Sequence, residues 1–327
     1  MYPKKLEKGD QIRVVAPSRS MSIISKEVRE IANQRFSDLG LNLTFGEHVE
    51  ESDKFNSSSI ESRISDIHEA FSDNDVDGII TVIGGFNSNQ LLDYIDWEII
   101  RENPKPFCGY SDATILNNAI LEKAGLVTYY GPHYSTFGQK YHLGYTLDYF
   151  KKCLMNDEPF EIKESENWTD DKWYENQEER SLIKNEGWTE IKKGRAEGTV
   201  IGGNMGTFSL LQGTDYFPKM KDFILFVEDD DLAGESSAVE FDRYLQSVLQ
   251  QNNLKNILGV VIGRFPKASK MTNEKIRKII NSKKSLKDLP VIAGVDFAHT
   301  DPQITFPIGG KVKITAGNSP KIKFLKH

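Results

Sequence analysis

Apolar residues recur along this chain in short blocks that have two different periods. QIRVVA, from Gln11 to Ala16, is a compact β-branched run closed by Pro17-Ser18 and has the composition of a buried strand. A helical spacing follows from Ile24 to about Leu39 and ends at Gly40. Ile60 to Phe71 carries the same helical period, and GIITVI (Gly78 to Ile83) reads as a second buried strand. A Gly-Gly turn then leads into a helix that includes Leu91 to Ile95. Lys105 to Cys108 forms a third short strand before a helix from Asp112 to about Lys123 that stops at Gly125. This alternation predicts a parallel sheet with helices on its faces.

The alternation lapses between Asn156 and Lys193. This tract is acidic and polar, has no sustained period, and contains Trp168, Trp173 and Trp188, three of the four tryptophans. A long irregular stretch of this kind is a lid, a binding loop or a linker, and its aromatics count against simple disorder. Strands resume at Gly198 to Ile201, Phe223 to Val227, Leu258 to Ile262 and Val291 to Val295, with helical spacing at Met205 to Leu211, Ala238 to Gln250 and Asn273 to Ile280. Lys311 to Thr315 and Lys321 to Leu325 close the chain as strands. The simplest reading is two α/β halves, residues 1–155 and 196–327, joined by an aromatic loop over 156–195.

Composition narrows the partners. At 327 residues the chain has ample length for a large core, and its net charge of −7 argues against a nucleic-acid polymer as ligand. From Arg264 to His327 basic residues outnumber acidic ones, which reads as a solvated face. Cys108 and Cys153 are the only cysteines, which fits a reducing compartment and excludes a disulfide framework. MYPKKLEKGD lacks an apolar leader segment and no apolar run approaches membrane length, so the expectation is a soluble cytoplasmic protein.

Within KPFCGYSDATILNNAI, Ser111 stands where a strand ends and a helix begins. Its hydroxyl would project from the C-terminal edge of the sheet, with the Asp112 amide at a helix N-terminus where an oxyanion can be stabilised. G-x-S-x-G is absent, because Ala113 holds the last glycine position, and Ser111 or Asp112 as a simple helix cap remains open. Gly84-Gly85, after the GIITVI strand, offers either a second oxyanion donor or only a tight turn. Serine catalysis requires a base and a carboxylate to orient it. His299, in GVDFAHTDPQ, and His133, in YYGPHYS, both follow strands and compete as base. Glu228 ends the apolar strand of FILFVEDDD, with Asp229 to Asp231 trailing into solvent; it reads as the carboxylate or as part of an acidic turn capping the next helix. No H-E-x-x-H, Walker A or complete G-x-G-x-x-G occurs.

Taken together, the stretches GDQIRVVAPS, TVIGGFNSNQLLDYIDW, CGYSDATIL, TYYGPHYSTFG, EGTVIGGNMGTFSLLQGT, LFVEDDD and GVDFAHTDPQITFPIG resemble, in order, the LD-carboxypeptidase family of serine peptidases. Within it they are most similar to the microcin C immunity peptidase branch. The resemblance implies a doubly wound, mostly parallel, flavodoxin-like N-terminal sheet and a C-terminal β-rich α/β domain, with the active site between them. It implies a Ser-Glu-His triad on Ser111, Glu228 and His299, an oxyanion hole from the Gly85 and Asp112 amides, no metal or cofactor, and a homodimer. The IGGFNSNQLL turn and the tryptophan loop are similar to the immunity branch, whose loop presents an aromatic ring to adenine; this implies substrate contacts from Asn87 and from Trp188 or Trp173. The activity implied is hydrolysis of the amide between a peptidyl or aminoacyl group and a modified nucleotide. Release of D-alanine from muropeptide tetrapeptides is the alternative, and a non-catalytic peptide- or nucleotide-binding protein is the third reading.

Overall fold

The structure is a computed structural model that describes residues 1–297 and 299–327. Its first sheet holds β1 (Gln11–Val15), β2 (Asn42–Phe45), β3 (Gly78–Thr81), β4 (Phe107–Cys108) and β5 (Thr128–Tyr130), all parallel. Their order, β5-β4-β3-β1-β2, is the flavodoxin-like one, with its topological switch point between β1 and β3. Four of the five residues of β1 and all of β3 are buried, as continuous apolar runs covered by helices require. Ser25 and Ser59 cap the helices Lys26–Asp38 and Ile60–Ser72 by accepting from the Val28 and Ser62 amides.

Next along the chain come β6 (Phe160–Glu161), an antiparallel pair of β7 (Asn167–Trp168) and β8 (Ile183–Lys184), then β9 (Thr189–Lys192) and β10 (Gly194–Asn204). β11 (Met220–Glu228), β12 (Leu254–Gly263), β13 (Val291–Val295), β14 (Phe306–Ile308), β15 (Lys311–Ala316) and β16 (Lys321–Lys326) complete the set. The second sheet runs β6-β16-β15-β10-β11-β12-β13-β9. Its four central strands, β10 to β13, are parallel, and its outer strands pair antiparallel.

Three expectations are corrected. The tract 156–195 is not simply irregular: β6 and β9, too short to show a period, form the two edges of the second sheet. The region 196–327 does not stay in one unit, because β14 returns to the first sheet and pairs antiparallel with β5. After the Gly-Gly turn the chain makes a short 3-10 turn, Ser88–Leu91, and a separate helix, Trp97–Glu102.

The helix Thr114–Ala124 is buried along nearly its whole length, wedged between the two sheets. Asn118 donates to the Gly202 carbonyl of β10 at 2.8 Å, and Thr114 Oγ1 accepts from the Asn204 amide at 3.1 Å. Gly203, at φ +130°, permits this approach: a Cβ there would meet Thr114 Oγ1 at 2.7 Å and the Tyr130 ring at 2.8 Å. The segment that begins with Ser111 is thereby fixed against the strand that ends beside Glu228.

Candidate active site

Ser111 is the sharp corner between β4 and the wedged helix, and its φ of +56° puts a residue with a side chain in the left-handed region. Such a conformation costs on the order of 1–3 kcal/mol and persists only where the surroundings enforce it. Here the Ser111 amide donates to the Tyr130 hydroxyl at 3.3 Å, and the Ala113 amide closes the turn on the Tyr110 carbonyl at 3.1 Å. The corner has the backbone character of a nucleophile elbow although the glycine pattern is missing.

Glu228 is the last residue of β11, and His299 follows β13, so both reach the C-terminal edge of the parallel core that faces Ser111. His299 Nε2 lies 3.1 Å from Ser111 Oγ, and its Nδ1 lies 2.9 Å from Glu228 Oε2. The other oxygen, Oε1, accepts from the Tyr130 hydroxyl at 2.5 Å. With Glu228 0% exposed, both oxygens need donors, so Nδ1 carries a hydrogen, and in the neutral imidazole Nε2 is left as the acceptor for the serine hydroxyl. Burial by itself would lower the imidazole's proton affinity. The Glu228 charge and hydrogen bond, with Asp230 and Asp229 nearby, outweigh it and hold His299 up at about 9.

His133, the competing base, is buried and stands apart from this relay. Its Nδ1 is 2.6 Å from Thr81 Oγ1, Tyr110 lies against its ring, and burial, then the neighbouring His299, push it down to about 3. Its Nε2 has no hydrogen-bond partner among the described residues.

The Gly-Gly turn packs directly on the corner. A Cβ on Gly84 would come 3.0 Å from Ser111 Oγ, and one on Gly85 would collide with Ser18 Oγ. The Asp112 carboxylate ties the turn down by accepting from Ser18 Oγ at 2.6 Å and from the Ser88 amide at 3.0 Å. Gly85 and Asp112 both line the cavity beside Ser111.

The expected substrate contacts fare differently. Trp188 is only 7% exposed, and its indole N–H donates to Asp296 Oδ2 at 2.9 Å, so it anchors the loop ahead of His299. Asn87 is held in the turn by donating to Ser57 Oγ at 3.1 Å, and its Oδ1 lies 3.3 Å from Ser18 Oγ, whose one hydrogen goes to Asp112. Trp173 does border the site: with Tyr110, Tyr174 and His299 it lines a cavity of about 170 Å³. Tyr174, 63% exposed, also lines the adjoining space with Ser111 and was not singled out in the sequence, where it is one aromatic among several in a polar loop. Asp229 and Asp230 are a further correction: they turn inward to line a cavity of about 440 Å³ with Ser111, and only Asp231 of the three is exposed. Tyr130 was also missed, because an interior tyrosine of TYYG reads locally as a strand residue.

Among the described residues no group of three or more His, Cys, Asp or Glu could hold a metal ion, and no helix is long and apolar enough to cross a membrane. A nucleophile, a base and an orienting carboxylate in hydrogen-bonded order can carry out acyl transfer.

Comparison with known proteins agrees with this chemistry. The family model described as LD-carboxypeptidase N-terminal domain matches residues 12–131, and the LD-carboxypeptidase C-terminal domain matches residues 197–314. A Bacillus subtilis protein named "Putative carboxypeptidase YocD" is 49% identical over 100% of both chains. The crystal structure of an MccF-like protein from Bacillus anthracis is 53% identical, covers 100% of both chains and superposes with a TM-score of 0.99. The microcin C7 self-immunity protein MccF of Escherichia coli is 30% identical over 95% of this chain and 92% of its own. A solved complex of MccF with aspartyl sulfamoyl adenosine, 28% identical, covers 100% of this chain and 99% of that one with a TM-score of 0.87. Another MccF structure holds glutamyl sulfamoyl guanosine.

Proposed function

The chain belongs to the LD-carboxypeptidase family of serine peptidases, and from that premise we propose that it hydrolyses the amide joining a peptidyl or aminoacyl group to a modified nucleotide, as in microcin C-type inhibitors. The observation that carries the reading is the relay Ser111 to His299 at 3.1 Å and His299 to Glu228 at 2.9 Å, opening onto an aromatic cavity. His299 Nε2 takes the Ser111 proton as Oγ attacks the carbonyl carbon, and Glu228 stabilises the imidazolium. The Gly85 and Asp112 amides receive the developing oxyanion. His299 then returns the proton to the leaving nitrogen, and water attacks the Ser111 ester under the same base. Trp173 and Tyr174 give a nucleobase a stacking surface, a contact worth about 1–3 kcal/mol.

Release of D-alanine from muropeptide tetrapeptides is the second reading, favoured by the LD-carboxypeptidase description of both matched domains. The resemblance to the family also supports a homodimer, which light scattering on the purified chain tests, and a cytoplasmic location, which cell fractionation tests. Mass spectrometry of an aminoacyl-sulfamoyl adenosine and an L,D-linked muropeptide tetrapeptide, each with wild type and Ser111→Ala, decides between the substrates. Serine-dependent loss of the aminoacyl group supports the nucleotide reading. Release of D-alanine alone replaces it with the second.

A further inference from the structure

The base fixes which side of Ser111 each half of the substrate occupies. His299 must hand its proton to the leaving nitrogen, so the leaving group lies on the His299 side, in the space lined by Tyr110, Trp173 and Tyr174. The cavity of about 440 Å³ adjoins that space at Ser111, Gly85 and Asp230 and extends away from His299 past Asp112, Asp229 and Glu240, and therefore receives the acyl group. This step rests on the serine-amidase reading above.

The acyl cavity has a one-sided charge. Asp112, Asp229, Asp230 and Glu240 line it, with no lysine, arginine or histidine among its lining residues, and the Asp112 carboxylate is already engaged by Ser18 and Ser88. Glu240 is paired at the rim with Arg243 at 2.5 Å. Asp229 and Asp230 have no ion-pair partner of opposite charge among the described lysines and arginines. They are held inward by the loop itself: Asp229 Oδ1 accepts from the Asp230 amide at 3.2 Å, and Asp230 Oδ1 accepts from the Leu232 amide at 2.9 Å. Asp229 is 9% exposed; burial first, then Glu228 and Asp230, push its carboxyl up to about 7. A further polar group in the lining is unspent. Asn204, 3% exposed at the end of β10, uses Oδ1 to accept from the Thr207 amide at 2.9 Å, while its Nδ2 has no partner among the described residues. Two acidic side chains with no lysine or arginine partner, facing only the His299 imidazole, and one amide N–H lacking an acceptor are what an acyl group with an ammonium and a neutral oxygen would satisfy.

We propose that this cavity selects aminoacyl groups that carry positive charge and rejects those with an acidic side chain. The carboxylates attract the α-ammonium and the ammonium or guanidinium of a basic side chain, and Asn204 donates to an acyl-group oxygen. An aspartyl side chain would bring a third unpaired carboxylate into the same space, where like charges disfavour one another. The aspartyl and glutamyl analogues held by MccF belong to that protein; here the preference is reversed.

The test compares kcat/KM for lysyl-, leucyl- and aspartyl-sulfamoyl adenosine. The expected order is lysyl, leucyl, aspartyl, with at least tenfold, as one close charge interaction gives, between first and last. Asp230→Asn and, independently, Glu240→Gln should each narrow the lysyl-to-aspartyl ratio at least threefold, with thermal melting confirming that each variant folds. An aspartyl substrate cleaved as well as the lysyl one, or a ratio unmoved in both variants, overturns the inference while leaving the nucleotide reading intact. Failure to cleave all three, with Ser111 still labelled by a fluorophosphonate probe, overturns the nucleotide reading and this inference with it.

Discussion

Replacing Glu228 by glutamine keeps the shape of the side chain and changes only what its two terminal atoms can do. In the native site both oxygens accept, one from His299 Nδ1 at 2.9 Å and one from the Tyr130 hydroxyl at 2.5 Å. A glutamine offers one acceptor and one donor. If the amide oxygen faces His299, the Tyr130 hydroxyl meets an N–H. If the NH₂ faces His299, the imidazole must carry its hydrogen on Nε2, pointing at Ser111, and cannot take the serine proton. The carboxylate's charge is lost in either case. Holding the imidazole at about 9 rather than its usual 6.5 corresponds to about 3 kcal/mol in favour of the imidazolium, the species formed during attack. Losing both orientation and charge should lower kcat/KM by on the order of 10³–10⁴.

The pH profile gives a second readout with a definite sign. The base works only when neutral, so wild-type kcat/KM rises with pH through a His299 value above 6.5 and towards 9. In Glu228→Gln the largest remaining influence is burial, which acts downwards, so the rising limb should move to lower pH even as the plateau falls. Tyr130→Phe is the control: it removes the second donor to Glu228 and leaves the charge, so its limb should stay high. Kinetics from pH 5 to 10 on whichever substrate is turned over checks all three proteins. A Glu228→Gln enzyme within tenfold of wild type, or one with an unmoved limb, would refute the role given to this carboxylate.

The two strand-end histidines separate by simple truncation: His299→Ala should abolish turnover while His133→Ala, close to the relay but hydrogen-bonded to Thr81 rather than to Ser111 or Glu228, retains it, and the reverse outcome would move the base to His133. Asp229 makes a prediction about stability. Because its folded value, about 7, lies above the ordinary 3.8, its contribution is fully present below 3.8 and is lost as pH rises through 7. Asp229→Asn should therefore raise unfolding free energy by about 2–4 kcal/mol at pH 8 and by little near pH 4, as read from denaturant melts; an equal effect at both values would show that its charge is not what the fold resists.

Why some of this was legible in sequence and some was not follows from which interactions are local. Ser111, Glu228 and His299 could be placed because each directly follows or ends an apolar run, and parallel strands deliver such residues to one edge whatever the loops do. That argument puts His133 at the same edge too, and only burial beside Thr81, which depends on the loop after β5 passing β4 to reach the end of β3, sets it aside. Trp188 is the same problem reversed: a tryptophan in a polar loop reads as a ligand contact until Asp296, 108 residues away, accepts its N–H. The strands β6 and β9 vanish from the pattern because two and four residues cannot display a period. The acidic run after Glu228 misleads most, since Asp-Asp-Asp carries every mark of a solvated turn. Its inward aspartates leave a buried carboxylate unpaired next to a catalytic imidazole, an arrangement that costs stability and that packing alone would not retain. A positively charged acyl group would offset that cost only while bound, so the strain becomes selectivity: the carboxylates that weaken the empty site are the ones that distinguish a lysyl from an aspartyl substrate.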